Sequence, residues 1–506
     1  MPRQPEDPKN NGVTDVRSTG QHDAQNNRQQ TALVVAANRL PVEITPDGSV
    51  SPSPGGLASA LFDVTAKGCT WVGWAGPDSP ATDPFTLGDL QLHPIALSDT
   101  EARRYYTGFA NSVLWPLFHG RLRREEMTRA WWRTYRGVNE RFAAAIARDA
   151  APNASVWVHD YHLLLVPRML RARRPDLRIG LFIHIPFPNA QLFSMLPWRQ
   201  EVVLGMLGAD VIGFQVAEDA HNFTTTTERV LGLPTEDGRV RTGGRTVEVD
   251  AFPISVDFTR WDDLGGAVQD QAAELRRSLG VDTVFLGIDR LDYTKGITQR
   301  LQAFQELLNE GRLDAATCVF VQIGVPTRAD IIAYQDERAE VDRLVASINR
   351  AHTRADGTTP VQFIETSLDD VALATWYRAA DTLVVTSLAD GMNLIAKEFV
   401  ATRGDGGGVV VLSEFAGAAA DLTDALIVNP YDIDAIKNAL LLSGQLSVSE
   451  QQGRMTAMRD RVRCHDVHHW AEQFLERLRA EPAGRHHGSV RGLAGRVRRR
   501  FSSSSR

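Results

Sequence analysis

The chain has 506 residues, 43% of them hydrophobic, which is too long for one core and long enough for two sizeable α/β domains. A net charge of −7 and a pI near 6.0 argue against wholesale binding to nucleic acid or membranes, which usually calls for a basic excess, while small anionic substrates remain compatible through local patches. Cys69, Cys318 and Cys464 are scattered and lack metal-ligand spacing, which argues against a disulfide framework or a zinc site and makes a reducing cytoplasm the expected compartment.

Residues 1–30 are rich in Asn, Gln, Asp and Arg and carry too little apolar surface to offset the entropy of ordering, so they are expected to form a disordered tail. They include no apolar leader-like stretch, and no apolar run in the chain reaches membrane length. Between residues 31 and 255, Ala32–Ala37, Ser155–His159, Arg178–His184 and Val211–Phe214 read as strands, with helical patterns at Leu57–Ala66 and Glu201–Leu207. Between 256 and 480, Val284–Ile288, Thr317–Ile323, Val361–Ile364, Leu383–Thr386, Val409–Leu412 and Ala425–Val428 repeat the rhythm. This alternation predicts two doubly wound, Rossmann-like domains facing each other across a cleft, with the hinge near Pro253–Asp257. The last helix is allowed to pack back on the first domain. Residues 481–506 carry seven arginines and no acid after Glu481. They read as a basic disordered tail, either a solvated appendage or a contact for nucleic acid, acidic lipid or a partner.

Polar groups cluster at the predicted strand ends, where open α/β sheets bind ligands. In the first half, Val34–Arg39 ends in an arginine, and Gly55-Gly56 precedes a helical pattern in the manner of a phosphate-approaching turn. His159-Asp160-Tyr161-His162 and the segment from His184 to Pro188 each close an apolar strand; a single such histidine can equally be structural. Trp74 and the Tyr105–Trp115 segment offer aromatic walls for sugar rings or, on the plainer reading, core packing, which is preferred for Trp131 and Trp132.

In the second half, Asp289–Gly296 supplies two cations, Arg290 and Lys295, which can neutralise the charge that grows on a departing nucleoside diphosphate. The competing reading is an ion pair with Asp289 or Asp292. In Asp390–Glu398, Gly391 permits close backbone approach, the amides of Met392, Asn393 and Leu394 can face phosphate from a helix start, and Glu398 can accept from ribose hydroxyls or be an ordinary helix charge. Asp432-Ile433-Asp434 matches an Asp-x-Asp metal signature, but the following helical pattern favours Asp432 as an N-cap and Asp434 as a first-turn acid, so no essential metal and no cofactor is expected.

These segments, from about Leu33 to Trp470, together resemble the trehalose-6-phosphate synthase family of retaining nucleotide-sugar glycosyltransferases. Further matches are Gly73–Gly76, Pro326–Arg328 and Val428–Asp432. The resemblance implies a GT-B fold, acceptor in the first domain and donor in the second. It implies that Arg39 and Arg328 clamp the acceptor phosphate beside Tyr106, and that Trp74, Trp115 and Asp160 shape the acceptor sugar site. It further implies that His184 and Asp390 contact the donor glucose, that Gly56, Arg290, Lys295 and the amides of Met392–Leu394 grip the diphosphate, and that Glu398 holds the ribose. Transfer from a nucleotide-diphosphate glucose (UDP-glucose or related) to glucose 6-phosphate would retain configuration without a covalent intermediate. A homo-oligomer, dimer or tetramer, with no nucleic-acid or membrane partner, completes the expectation. Ala389 departs from the arginine that many relatives carry before this glycine turn, and both tails lie outside the usual pattern. Two other readings stay open: a sibling synthase acting on another phosphorylated acceptor such as glycerol 3-phosphate, and a non-catalytic sugar-phosphate sensor.

Overall fold

The computed structural model describes residues 30–44, 50–52, 68–77, 79, 83–121, 127–328 and 331–480. The expected Leu57–Ala66 helix, Gly55-Gly56 and both tails lie outside them.

Among the described residues, two parallel-cored sheets carry the fold. The first contains β1 (Thr31–Arg39), β4 (Thr70–Trp74), β5 (Phe85–Leu87), β6 (Leu90–Ile95), β7 (Ala150–His159), β8 (Arg178–Phe182), β9 (Val211–Phe214), β10 (Thr235–Glu236), β11 (Arg239–Thr242) and β12 (Arg245–Ala251), while β2 (Val42–Ile44) and β3 (Val50–Pro52) form a separate hairpin. Its order is β10-β11-β12-β9-β8-β7-β1-β4-β6-β5, parallel from β12 to β6 and antiparallel at both edges. The second contains β13 (Thr283–Arg290), β14 (Cys318–Val325), β15 (Val361–Glu365), β16 (Thr382–Val385), β17 (Val409–Ser413) and β18 (Leu426–Val428), all parallel in the order β15-β14-β13-β16-β17-β18. β1, β7, β13 and β16 are apolar nearly throughout their central residues because helices cover both faces of each sheet.

All ten strands read from the sequence exist, with ends shifted by a few residues. The Arg178–His184 run stops as a strand at Phe182, so His184 lies in the loop that follows. β4 was not expected: Gly73 and the aromatic Trp71 and Trp74 mask a strand whose five residues are all buried. The Tyr105–Trp115 segment lies mainly in a π-helix, Arg103–Leu114, a wide helix associated with functional sites. The Val467–Arg479 helix, last among the described elements, packs on the first sheet: Phe474 stacks on Trp157 at 4.9 Å, and Arg178 Nε donates to the Leu478 carbonyl at 2.8 Å. No helix among the described residues is long and apolar enough to cross a membrane.

Candidate active site

Five neighbouring strands of the first sheet deliver polar groups at their carboxyl ends: Trp74 from β4, Arg39 from β1, His159 and Asp160 from β7, His184 from β8 and Gln215 from β9. In the second sheet, Arg328 follows β14, Arg290 ends β13 and Asp390 follows β16. Chain topology alone thus brings both sets to strand termini.

The wall expected to face the acceptor is aromatic with cations laid on it. The Arg39 guanidinium sits 4.2 Å from the Trp74 ring centroid and 5.9 Å from Tyr106, while that of Arg328 sits 4.1 Å from Trp115. Arg328 Nη2 also donates to Tyr161 Oη at 3.1 Å, so a residue from the second sheet closes on the first. Its other amino group meets Tyr334 Oη and lies 3.6 Å from Asp292. Burial alone would raise the Tyr106 phenol, but Arg328, Arg39 and Arg290 pull it below its ordinary value. Burial pushes Asp160 up to about 6, although the amides of Tyr161 and His184 oppose it. Trp74 and Trp115 are each 4% exposed, so both rings are buried. Among the described residues, Trp115 Nε1 and Arg328 Nε are buried without a hydrogen-bond partner, and polar groups of a bound molecule can satisfy them.

On the side expected to hold the donor, Lys295 Nζ lies 2.5 Å from Asp390 Oδ2, joining the two motifs singled out from the sequence. Asp390 Oδ2 also accepts from Ser387 Oγ at 3.2 Å and Asn393 Nδ2 at 3.1 Å. Burial would raise this carboxyl, but Lys295 and Asn393 hold it below the usual range. The expected alternative partners are otherwise engaged: Asp289 pairs with Arg300, and Asp292 accepts from Thr294 and Tyr334 and lies 3.6 Å from Arg328. The Arg290 guanidinium is exposed, 5.5 Å from the Trp115 ring centroid, and has no carboxylate within ion-pair distance among the described residues.

Two glycines fix this geometry. Gly296 holds φ +62, and a Cβ there would lie 2.0 Å from the Thr386 carbonyl. A Cβ on Gly391 would lie 2.0 Å from the His184 carbonyl, so the close approach expected toward phosphate is instead backbone against backbone between the two sheets' loops. Three of the five described non-glycine residues with positive φ belong to the site: Asp160, Arg328 and Asn393, a concentration typical of functional loops. Asn393 caps the Leu394–Thr402 helix by accepting from Ala396 N–H at 3.1 Å, which leaves Met392, Asn393 and Leu394 at its opening turn. Four residues on, Glu398 is no solvated helix charge. It is 8% exposed, its Oε2 accepts from Tyr377 Oη at 2.7 Å, and burial raises its carboxyl to about 7.

His184 Nε2 lies 3.0 Å from His159 Nδ1, and burial depresses His184 to about 3, so the ring is neutral at physiological pH. Lys397 is 1% exposed and donates to the Ile254 carbonyl at 2.8 Å. Asp432 accepts from Ala435 N–H at 3.0 Å as the N-cap of Ile433–Ser443, and no cluster of three His, Cys, Asp or Glu suited to a metal occurs among the described residues.

Sequence reasoning missed Tyr334, Tyr377, His119 and Gln215. His119 stacks on Trp115 at 4.1 Å, and its Nδ1 sits 2.7 Å from the Trp115 carbonyl, an i,i+4 pairing that a helical reading of the segment could have found. Tyr334 and Tyr377 meet their partners only through tertiary packing. Gln215, directly after β9, carries the same strand-end signal as Asp160.

Residues 30–480 match the family model for glycosyltransferase family 20. A trehalose-6-phosphate synthase from Mycobacterium sp. (strain KMS) is 45% identical over 472 residues, covering 89% of this chain and 96% of its own. Among solved structures, a UDP-forming α,α-trehalose-phosphate synthase from Burkholderia xenovorans in complex with glucose-6-phosphate superposes with TM-score 0.82 at 33% identity, covering 88% of this chain and 99% of its own. An E. coli trehalose-6-phosphate structure bound with UDP-2-fluoro glucose gives 0.81 at 32% identity, covering 89% and 100%. The chain therefore belongs to glycosyltransferase family 20, the family of the trehalose-6-phosphate synthases it matches, and is a glycosyltransferase with a GT-B fold.

Proposed function

We propose that the protein transfers glucose, with retention of configuration, from UDP-glucose or a related nucleotide-diphosphate glucose to glucose 6-phosphate, forming α,α-trehalose 6-phosphate, the first step of trehalose biosynthesis. The observation that carries this reading is the Trp115 ring, which holds Arg328 at 4.1 Å and Arg290 at 5.5 Å. One cation from the acceptor-phosphate set and one from the donor-diphosphate set share a single aromatic ring, so both phosphorylated substrates fit side by side. The bound glucose-6-phosphate and UDP-sugar of the two structural relatives support that pairing.

In this reading Arg290 and Lys295 stabilise the charge that develops on the diphosphate as the C1–O bond to it breaks. Lys295 can turn toward phosphate because Ser387 and Asn393 still bond Asp390 when it does. Glu398 receives the ribose, and the opening amides Met392–Leu394 face the phosphates. Arg39 and Arg328 fix the acceptor phosphate beside Tyr106, with Trp74, Trp115 and Asp160 around its sugar. The new bond to C1 forms on the face the diphosphate leaves, and a departing phosphate oxygen takes the acceptor hydroxyl's proton, so no protein nucleophile is required. Fixed cations serve the diphosphate, and no metal is assigned a role.

The test is incubation of the purified protein with glucose 6-phosphate or glycerol 3-phosphate and a panel of nucleotide-glucose donors, with mass detection of products. A phosphorylated disaccharide that trehalase cleaves after dephosphorylation is the expected result. Product only with glycerol 3-phosphate, or none with any pair, contradicts the proposal.

A further inference from the structure

The segment that crosses between the sheets touches both sides of the donor site through a single residue. Ile254, 2% exposed, follows β12 and precedes the Phe258–Ala267 helix. Its N–H donates to Gln215 Oε1 at 2.9 Å, and its carbonyl accepts from Lys397 Nζ at 2.8 Å. Lys397 belongs to the Leu394–Thr402 helix and is also 2.5 Å from Asp421 Oδ2. Gln215, 1% exposed, has its Nε2 3.3 Å from His184 Nδ1, and His184 Nε2 is 3.0 Å from His159 Nδ1.

A backbone N–H can only donate, so Ile254 settles which end of the Gln215 amide is oxygen. The amide nitrogen then faces His184 Nδ1 and donates to it. In a neutral imidazole one nitrogen accepts and the other carries the proton, so the His184 proton belongs on Nε2. That N–H donates to His159 Nδ1, and the proton of His159 falls on its own Nε2, which is buried without a partner. Both rings are neutral: burial holds His184 at about 3 and His159 well below its ordinary value.

We propose that Gln215 is a positioning residue that, through the Ile254 peptide, places the proton of His184 on Nε2 and links that ring to the donor helix. When substrate enters, His184 Nε2–H turns its donation from His159 to a sugar hydroxyl, and Gln215 keeps the ring in the donating tautomer. This rests on the reading of His184 as a contact to the donor glucose. It adds a route by which movement of the crossing segment reaches that contact, since a shift of Ile254 displaces Gln215 and Lys397 together.

Nitrogen NMR of selectively labelled histidine in the full-length protein tests the tautomer directly. The signal lost in His184→Gln should show an unprotonated Nδ1 and a protonated Nε2 in the wild type at neutral pH, and a protonated Nδ1 overturns the proposal. Gln215→Glu keeps an acceptor for Ile254 N–H but turns a second acceptor toward His184 Nδ1. It should move the proton to Nδ1 and lower kcat about 10- to 100-fold, the range for outer partners of ligating histidines, with the KM for glucose 6-phosphate held. Gln215→Met, which offers neither group, should give mixed tautomers and a smaller loss. An unchanged proton position in Gln215→Glu, at a pH where its carboxylate is ionised, overturns the coupling itself. A moved proton with unchanged kcat overturns the catalytic half, and there the failure lies in the assignment of His184 to the donor sugar.

Discussion

β13 and the turn that follows it each contribute one member to a cation–carboxylate pair, and the two pairs look alike in sequence but behave differently in the fold. Arg300 is fully buried: it pairs with Asp289 and donates to the Val384 carbonyl at 2.6 Å, tying the Ile297–Asn309 helix to β13 and β16. Lys295 pairs with Asp390 where the strands end, and its carboxylate partner already has Ser387 and Asn393 as further donors. The first pair is closed, because removing either member strands a charge in the core. The second can be exchanged, because Asp390 stays solvated by protein donors when Lys295 leaves for a phosphate. What separates scaffold from site is therefore the supply of replacement partners around the pair.

That contrast can be broken at several points. Arg300→Ala should cost about 3–5 kcal/mol of stability, the range for stranding one partner of a buried pair, and a denaturant titration would reveal it. Lys295→Ala and Arg290→Ala should leave the unfolding midpoint near wild type while turnover falls about 10²- to 10³-fold, or ~2.7–4 kcal/mol, as for loss of one preorganised donor. If Lys295→Ala were as destabilising as Arg300→Ala, the contrast would fail. Glu398 sharpens it, as a buried carboxyl held by a hydroxyl and no cation. Its pKa is raised from 4.5 to about 7, so its folded-state contribution is present at low pH and lost as pH rises through about 7. Melting curves of the ligand-free protein should show Glu398→Gln gaining on wild type as pH rises across that window, by up to about 3 kcal/mol. An equal slope in both proteins would contradict it. The smallest effect is expected at Asp432: Asp432→Asn keeps the helix cap and should leave both activity and stability unchanged, and excess chelator should leave turnover intact.

The strand ends were readable because buried parallel strands are written as short apolar runs, and the residue after each run has nowhere to go but the ligand-binding edge. Arg39, Asp160, His184, Arg290 and Asp390 were found that way. β4 escaped because its glycine and tryptophans do not look like a β-branched run. The environment of Glu398 escaped for a different reason: its partner Tyr377 lies 21 residues earlier and meets it only after two helices dock. Gln215 was legible in principle, but its importance comes from Ile254, 39 residues on, whose amide fixes the orientation of its side chain. Local pattern thus located the groups at the strand ends, and packing decided which of them hold one another.

The claim on which the rest depends is that Arg290 and Lys295 serve the diphosphate. Calorimetric titration of UDP against UMP, into wild type and the Arg290→Ala/Lys295→Ala double variant, measures it most directly. Wild type should bind UDP well over tenfold more tightly than UMP, each 1.4 kcal/mol of phosphate contact giving about a factor of ten, and the double variant should bind the two alike. A wild-type preference for UDP that survives in the double variant would contradict the account.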